Sequence, residues 1–222
     1  MSSYALRYRE GARAALAVAA TVWFFGASFG LVARAAGMGA LAPLVMSATT
    51  FAGSAQFAVS SILGAGSGAA AAIAAAVLLN ARYAPISISV ASLFHGPLLR
   101  RLAESQLIVD ESWALSSRGG GRFDRRVLIG AGLMLYVSWV TGTAVGVFAG
   151  RALGDPNDLG LDGAFPALFL ALLVPQLRGR RAVAAAATSA VIALLLIPFT
   201  PPGVPIVAAS AACLLGLRRR AR

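Results

Sequence analysis

Seven apolar runs occupy most of the chain and leave it few ways to fold. They cover Ala14–Ala33, Leu41–Leu63, Ala69–Phe94, Val127–Ala149, Leu161–Leu177, Ala182–Ile197 and Val204–Leu217. A helix crossing about 30 Å of hydrocarbon needs about 20 mostly apolar residues. The first four runs reach that length, and the last three are short for a perpendicular span. Turn residues separate the runs: Gly37-Met-Gly39, Gly64-Ala-Gly66-Ser-Gly68, Gly119-Gly-Gly121, Asp155-Pro-Asn-Asp158 and Pro201-Pro-Gly203. One connection is long, from His95 to Arg126. Only 12% of the residues are charged and 59% are hydrophobic, whereas soluble domains carry about a quarter charged residues. One soluble core would not bury that much apolar surface. The expectation is an all-α polytopic membrane protein of six to seven transmembrane helices, a single integral membrane domain over residues 1–222.

The net charge of +11 would ordinarily raise nucleic acid as a partner. Placement decides otherwise. All 19 basic residues are Arg. Sixteen fall in four clusters beside apolar runs: Arg7 to Arg13, Arg100 to Arg126, Arg178 to Arg181, and Arg218 to Arg222. This is the positive-inside pattern of membrane proteins. It raises a parity conflict, because three crossings between the first two clusters would put them on opposite sides. The second run resolves it if it is re-entrant or a broken pair of half-helices. Its middle, Thr49-Thr50-Phe51-Ala52-Gly53-Ser54-Ala55-Gln56, is small and polar. Non-helical backbone at such depth requires protein or a cavity around it. The alternative is that this chain breaks the rule. The basic N-terminus resembles the start of a signal peptide, but the apolar stretch is longer than an h-region and reads as an uncleaved span.

Runs one and four look alike. Gly26-xxx-Gly30 and Gly142-xxx-Gly146 are each followed by a run with an early Pro (Pro43, Pro166) and a later Gln (Gln56, Gln176). The shared order points to an inverted repeat, with half-repeats over 14–94 and 127–197, an architecture common in secondary transporters. Ordinary small-residue packing explains the glycines equally well.

Catalytic and metal chemistry find no footing. A lone Cys (Cys213) and a lone His (His95) exclude a disulfide and a Cys- or His-cluster metal site. No Walker loop is present, so no cofactor is expected. Ser87, Ser89 and Ser92 lack triad partners. Arg82 is the sharpest feature, an intramembrane Arg with no acid at comparable depth, since Asp110 lies in the following connection. It suits a substrate carboxylate, or else caps carbonyls near the Pro85 break. Gln56 and Asn80, with Gly53 to open the helix, suit a zwitterionic ligand; interhelical hydrogen bonds are the alternative. Asp110-Glu111 is an adjacent acidic pair, solvated or starting a helix. The Arg-rich tail suits anionic lipid head groups.

Taken in order, Phe51-Ala-Gly-Ser-Ala-Gln56-Phe57, Asn80-Ala-Arg82-Tyr83, Asp110-Glu111-Ser-Trp113, Trp139-Val-Thr-Gly142-Thr and Phe165-Pro166-Ala-Leu-Phe169 resemble the branched-chain amino acid permease large-subunit (AzlC-like) family. The resemblance runs from about Phe25 to Arg181. It implies a multi-pass protein of the bacterial inner membrane that exports branched-chain or similar hydrophobic amino acids with a small AzlD-like membrane subunit. The motif residues it carries over are Gly53, Gln56, Asn80, Arg82, Asp110 and Glu111. The rival readings are a passive channel for small zwitterions and a non-transporting assembly subunit.

Overall fold

The computed structural model describes residues 3–119, 121–149, 170, 173–174, 177, 179–200, 204–210 and 212. Most of the fifth run lies outside them, and so do Pro166, Gln176 and Cys213. The described elements are helical: α1 (Ser3–Ala35), α2 (Leu41–Thr49), α3 (Gly53–Gly64), α4 (Ala69–Asn80), α5 (Tyr83–Val90), a 3-10 turn at Ala91–Leu93, α6 (Leu98–Ser105), α7 (Asp110–Ser116), α8 (Arg125–Ala149), α9 (Arg180–Leu196) and α10 (Val204–Ser210). Among the described residues, Arg7–Ala35 and Arg125–Ala149 are long and apolar enough to cross a membrane. Ala69–Asn80 with Tyr83–Leu93 makes a third span if the bent pair is taken as one.

The core is the α1–α8 pair. Its contacts advance together along both helices, from Gly11 against Val127 to Gly26 against Trp139 and Gly30 against Thr143. The two helices therefore run in the same direction. Gly130, Gly142 and Gly146 answer from α8, facing the carbonyls of Tyr8, Trp23 and Ala27. A Cβ on Gly26 would lie 2.6 Å from the Trp139 carbonyl oxygen. Small residues are what let two backbones approach this closely. That packing accounts for both Gly-xxx-Gly motifs, and the two motif helices are not inverted relative to each other.

The second run folds back on itself as a hairpin of two short helices. Residues α2 and α3 number 9 and 12, so at about 1.5 Å per residue each covers about half of the 30 Å core. Beyond the break, α3 turns back: a Cβ on Gly64 would meet the Ala36 methyl at 3.1 Å, and Ser60 Oγ donates to Met38 Sδ at 3.3 Å. Thus α3 ends where α2 began, beside the C-terminal end of α1. Phe51 turns the tip with a left-handed φ of +42°, a conformation that costs a non-Gly residue about 1–3 kcal/mol. Burial and an edge-to-face contact with Tyr136 at 5.2 Å hold it there. Tyr136 also donates from its hydroxyl to the Ala48 carbonyl at 2.7 Å.

The third run then returns along the helix pair, but not as the single helix expected from Ala69–Phe94. It bends by 42° at Ala81-Arg82. Its far end packs Val90 and Phe94 against Leu128 near the start of α8. The chain therefore runs the length of the α1–α8 pair once between the end of α1 and the start of α8. The N-terminal arginines and those of the long connection share one end of the helix pair.

The long connection is not a solvated loop. It folds into α6 and α7, and its middle dips along α8 until Gly132 lies against Leu107. There Gln106 Nε2 donates 2.8 Å to the Thr49 carbonyl, one of the carbonyls left free at the end of α2. Glu104 anchors the connection by ion pairs to Arg100 and Arg125. Desolvation raises the Glu104 carboxyl, but hydrogen bonds from Arg125 and Arg100 outweigh it and hold it below its ordinary value. A depressed carboxyl adds stability above its unfolded value of about 4.3, and that contribution is lost as pH falls through the folded value. The melting temperature of the detergent-solubilised protein is expected to stay flat from about pH 8 to 5 with respect to this group and to fall below about pH 4. Glu104→Gln should flatten part of that acid limb, and an unchanged limb would remove Glu104 from the account.

Candidate functional site

Behind the hairpin tip lies a buried polar knot. Gln56 Nε2 donates to Ser47 Oγ at 3.0 Å, and Trp139 Nε1 donates to the same oxygen at 3.1 Å. Ser47 Oγ is 2.8 Å from Thr143 Oγ1, which donates to the Trp139 carbonyl at 2.9 Å. Gln56 Oε1 accepts the Ala52 N–H at 3.2 Å, satisfying a backbone donor beside the break. Ser47, Gln56 and Thr143 are all fully buried. Removing one member would orphan the others at about 1–3 kcal/mol per unsatisfied group. Gln56, expected to touch a zwitterionic ligand, is thus fully buried behind the tip, tying both half-helices to α8. Ser47 escaped the sequence reading, and Thr143 entered it only as the end of the Trp139-Val-Thr-Gly142-Thr motif, because isolated hydroxyls in apolar runs carry no pattern.

In front of the tip is a cavity of about 660 Å³, within the size range of small-molecule sites. The hairpin contributes Phe51, Gly53 and Ser54; the bend in the third run contributes Arg82 and Tyr83; the start of α7 contributes Asp110 and Glu111. Val18, Val22 and Phe25 of α1 and Leu135 and Trp139 of α8 form an apolar wall. Gly53 fits beneath the Trp139 ring, where a Cβ would come within 2.8 Å. The first-turn N–H groups of α3 have no intrahelical acceptors, and they bring the positive end of the helix to this space. Ser54 Oγ is buried with no hydrogen-bond partner among the described residues.

Arg82 corrects the expectation of an unpartnered arginine. Its guanidinium is 3.2 Å from Asp110 Oδ2 and 5.1 Å from the centre of the Tyr83 ring, and it donates to the Tyr83 hydroxyl at 3.3 Å. The inward dip of the long connection carries the acid to the arginine, which linear position concealed. Asp110 and Glu111 do start a helix, and they also face the cavity. Enclosure by surrounding protein raises the Glu111 carboxyl, with a further contribution from Asp110. Asn80 is not brought to this cavity. It lies in a separate apolar hollow with Met46, Val59 and Val77, its Oδ1 buried without a partner among the described residues. His95 is exposed. No His, Cys, Asp or Glu grouping among the described residues suits a metal ion.

The arrangement offers opposite charges a few ångströms apart beside an aliphatic and aromatic wall. That combination has the chemistry to suit a small zwitterion with an apolar side chain. Comparison with known proteins supplies a family. The AzlC protein family matches residues 17–153. The chain belongs to that family. Relatives include an uncharacterized membrane protein of Archaeoglobus fulgidus, 31% identical over 198 residues, covering 85% of this chain and 84% of the relative. The inner membrane protein YgaZ of Escherichia coli K12 is 27% identical over 194 residues, covering 79% and 76%. The branched-chain amino acid transport protein AzlC of Bacillus subtilis is 26% identical over 156 residues, covering 69% and 61%. No solved structure matches the chain. This AzlC-family chain is a membrane protein, and its family is associated with transport rather than catalysis.

Proposed function

We propose that the protein is a multi-pass secondary transporter of the bacterial inner membrane that exports branched-chain or similar hydrophobic amino acids, working with a small AzlD-like membrane subunit. The observation that carries this reading is the cavity where Arg82, Asp110 and Glu111 meet an apolar wall. The substrate ammonium group goes to the Asp110-Glu111 carboxylates. Its carboxylate goes to Arg82 and the free amides at the start of α3, as at broken helices in transporters. The side chain lies against Val18, Val22, Phe25 and Leu135. The second layer of hydrogen bonds through Gln56 keeps the hairpin tip in register with these groups. The arginine-bearing end of α1 and α8 faces the cytoplasm by the positive-inside rule, and the hairpin enters from the other side.

The test is efflux of labelled leucine, valine and methionine from proteoliposomes, with and without the small subunit. The expected result is saturable efflux that needs the partner and accumulates substrate against a gradient when driven. Flux that only equilibrates would identify a passive channel, and no flux with the partner present would identify an assembly subunit.

A further inference from the structure

We propose that the hollow at the starts of α1 and α8 is a phosphate-binding site, filled from the membrane by the head group of an anionic phospholipid. It is independent of what crosses the cavity described above. The hollow holds about 850 Å³ and is open to its surroundings. Five arginines border it, Arg7, Arg118, Arg122, Arg125 and Arg126, against two carboxylates, Glu10 and Asp124.

Both carboxylates are already engaged. Arg7 pairs with Asp124, and Arg118 lies 2.8 Å from Glu10 and 3.7 Å from Asp124. Asp124 also caps α8, its Oδ1 accepting the N–H groups of Arg126 at 3.0 Å and Val127 at 3.3 Å. Arg125 turns away to Glu104. Positive charge is therefore in excess, and the exposed Arg122 side chain has no carboxylate partner among the described residues. Guanidinium groups bind phosphate oxygens in a two-pronged geometry. No carboxylate remains to hold a choline or ethanolamine cation, so the site favours an anionic head group over a zwitterionic one.

Location selects the membrane as the source. Among the described residues, the two apolar stretches long enough to span begin at Arg7 and at Arg125, both residues of the hollow. Their parallel glycine packing sets these two starts at one level, where lipid head groups lie. Phe123, half-buried and packed 5.4 Å from the Trp113 ring, gives the hollow an apolar edge. Basic pockets between membrane helices bind such head groups.

The test uses the full chain in neutral detergent, with native mass spectrometry and thermal melting as readouts. The probes are phosphatidylglycerol, phosphatidylcholine and inorganic phosphate. Phosphatidylglycerol is expected to be retained and to raise the melting temperature, and phosphatidylcholine is not. Arg122→Gln, in an exposed turn, should weaken phosphatidylglycerol binding about fivefold. Arg101→Gln, on α6 outside the hollow, should leave it unchanged. Inorganic phosphate that stabilises the wild type alone, and loses that effect in Arg122→Gln, would keep the phosphate site and move its source to water. Equal retention of both lipids with no effect of phosphate, or equal effects of the two variants, would overturn the site.

Discussion

Gly146→Val is expected to prevent accumulation of folded protein. The new Cβ would be driven into the Ala27 carbonyl of α1. Backbone cannot rotate aside as a side chain can, so the two helices would have to separate. Inserting methylenes into a packed core costs about 1–3 kcal/mol, and three carbons against backbone lie at or above the top of that range. Whole proteins hold only about 5–15 kcal/mol of stability. The separation would also pull Thr143 from Ser47 and open the knot that fixes the hairpin tip. Fluorescence-detected size exclusion of a detergent extract measures the outcome, with Gly68→Ala as control. A Cβ on Gly68 meets nothing within 4 Å, so that variant should elute and melt like the wild type. A monodisperse Gly146→Val with wild-type melting would contradict the close parallel pair.

Arg82→Ala is expected to cut export at least about 10-fold while leaving expression intact. The side chain is about half exposed to the cavity, so its loss opens no hole in the core. What disappears is the charge opposite two carboxylates and a donor for the substrate carboxylate. Charged hydrogen bonds contribute about 1.5–3 kcal/mol each, so transport should fall about 10- to 100-fold or more in the proteoliposome assay. Arg82→Lys keeps the charge but not the planar fork, and should recover only part of the rate. Wild-type efflux from Arg82→Ala would remove Arg82 from the site.

The sequence made some of this legible because membrane insertion is governed by local rules. Run length gave the apolar helices, and arginine placement exposed a parity conflict. The run from Thr49 to Gln56 was small and polar enough to mark the place where a helix breaks. The site itself was read in part. Arg82, Gly53 and the Asp110-Glu111 pair meet at one cavity, but their meeting depends on a connection that folds inward. Nothing in the spacing of His95 to Arg126 reveals that dip, because it is specified by tertiary contacts such as Leu107 against Gly132 and Gln106 to Thr49. Gln56 finds Ser47 and the Ala52 N–H, whereas Asn80 Oδ1 finds no partner among the described residues. An amide in an apolar run announces that it needs a partner, not which partner it finds. The bend beside Arg82 was signalled only by Pro85, which sits inside α5 beyond the bend.

The central claim is that one cavity reads both charged ends of a hydrophobic amino acid. Displacement of labelled leucine from the purified protein tests it, with three competitors: unlabelled leucine, isopentylamine, and 4-methylpentanoic acid. Each truncated competitor keeps the aliphatic chain and one charged end. Leaving Arg82 or the Asp110-Glu111 pair without its charged partner should weaken each truncated competitor at least about 10-fold relative to leucine. Displacement by either truncated competitor as effective as by leucine would contradict the claim.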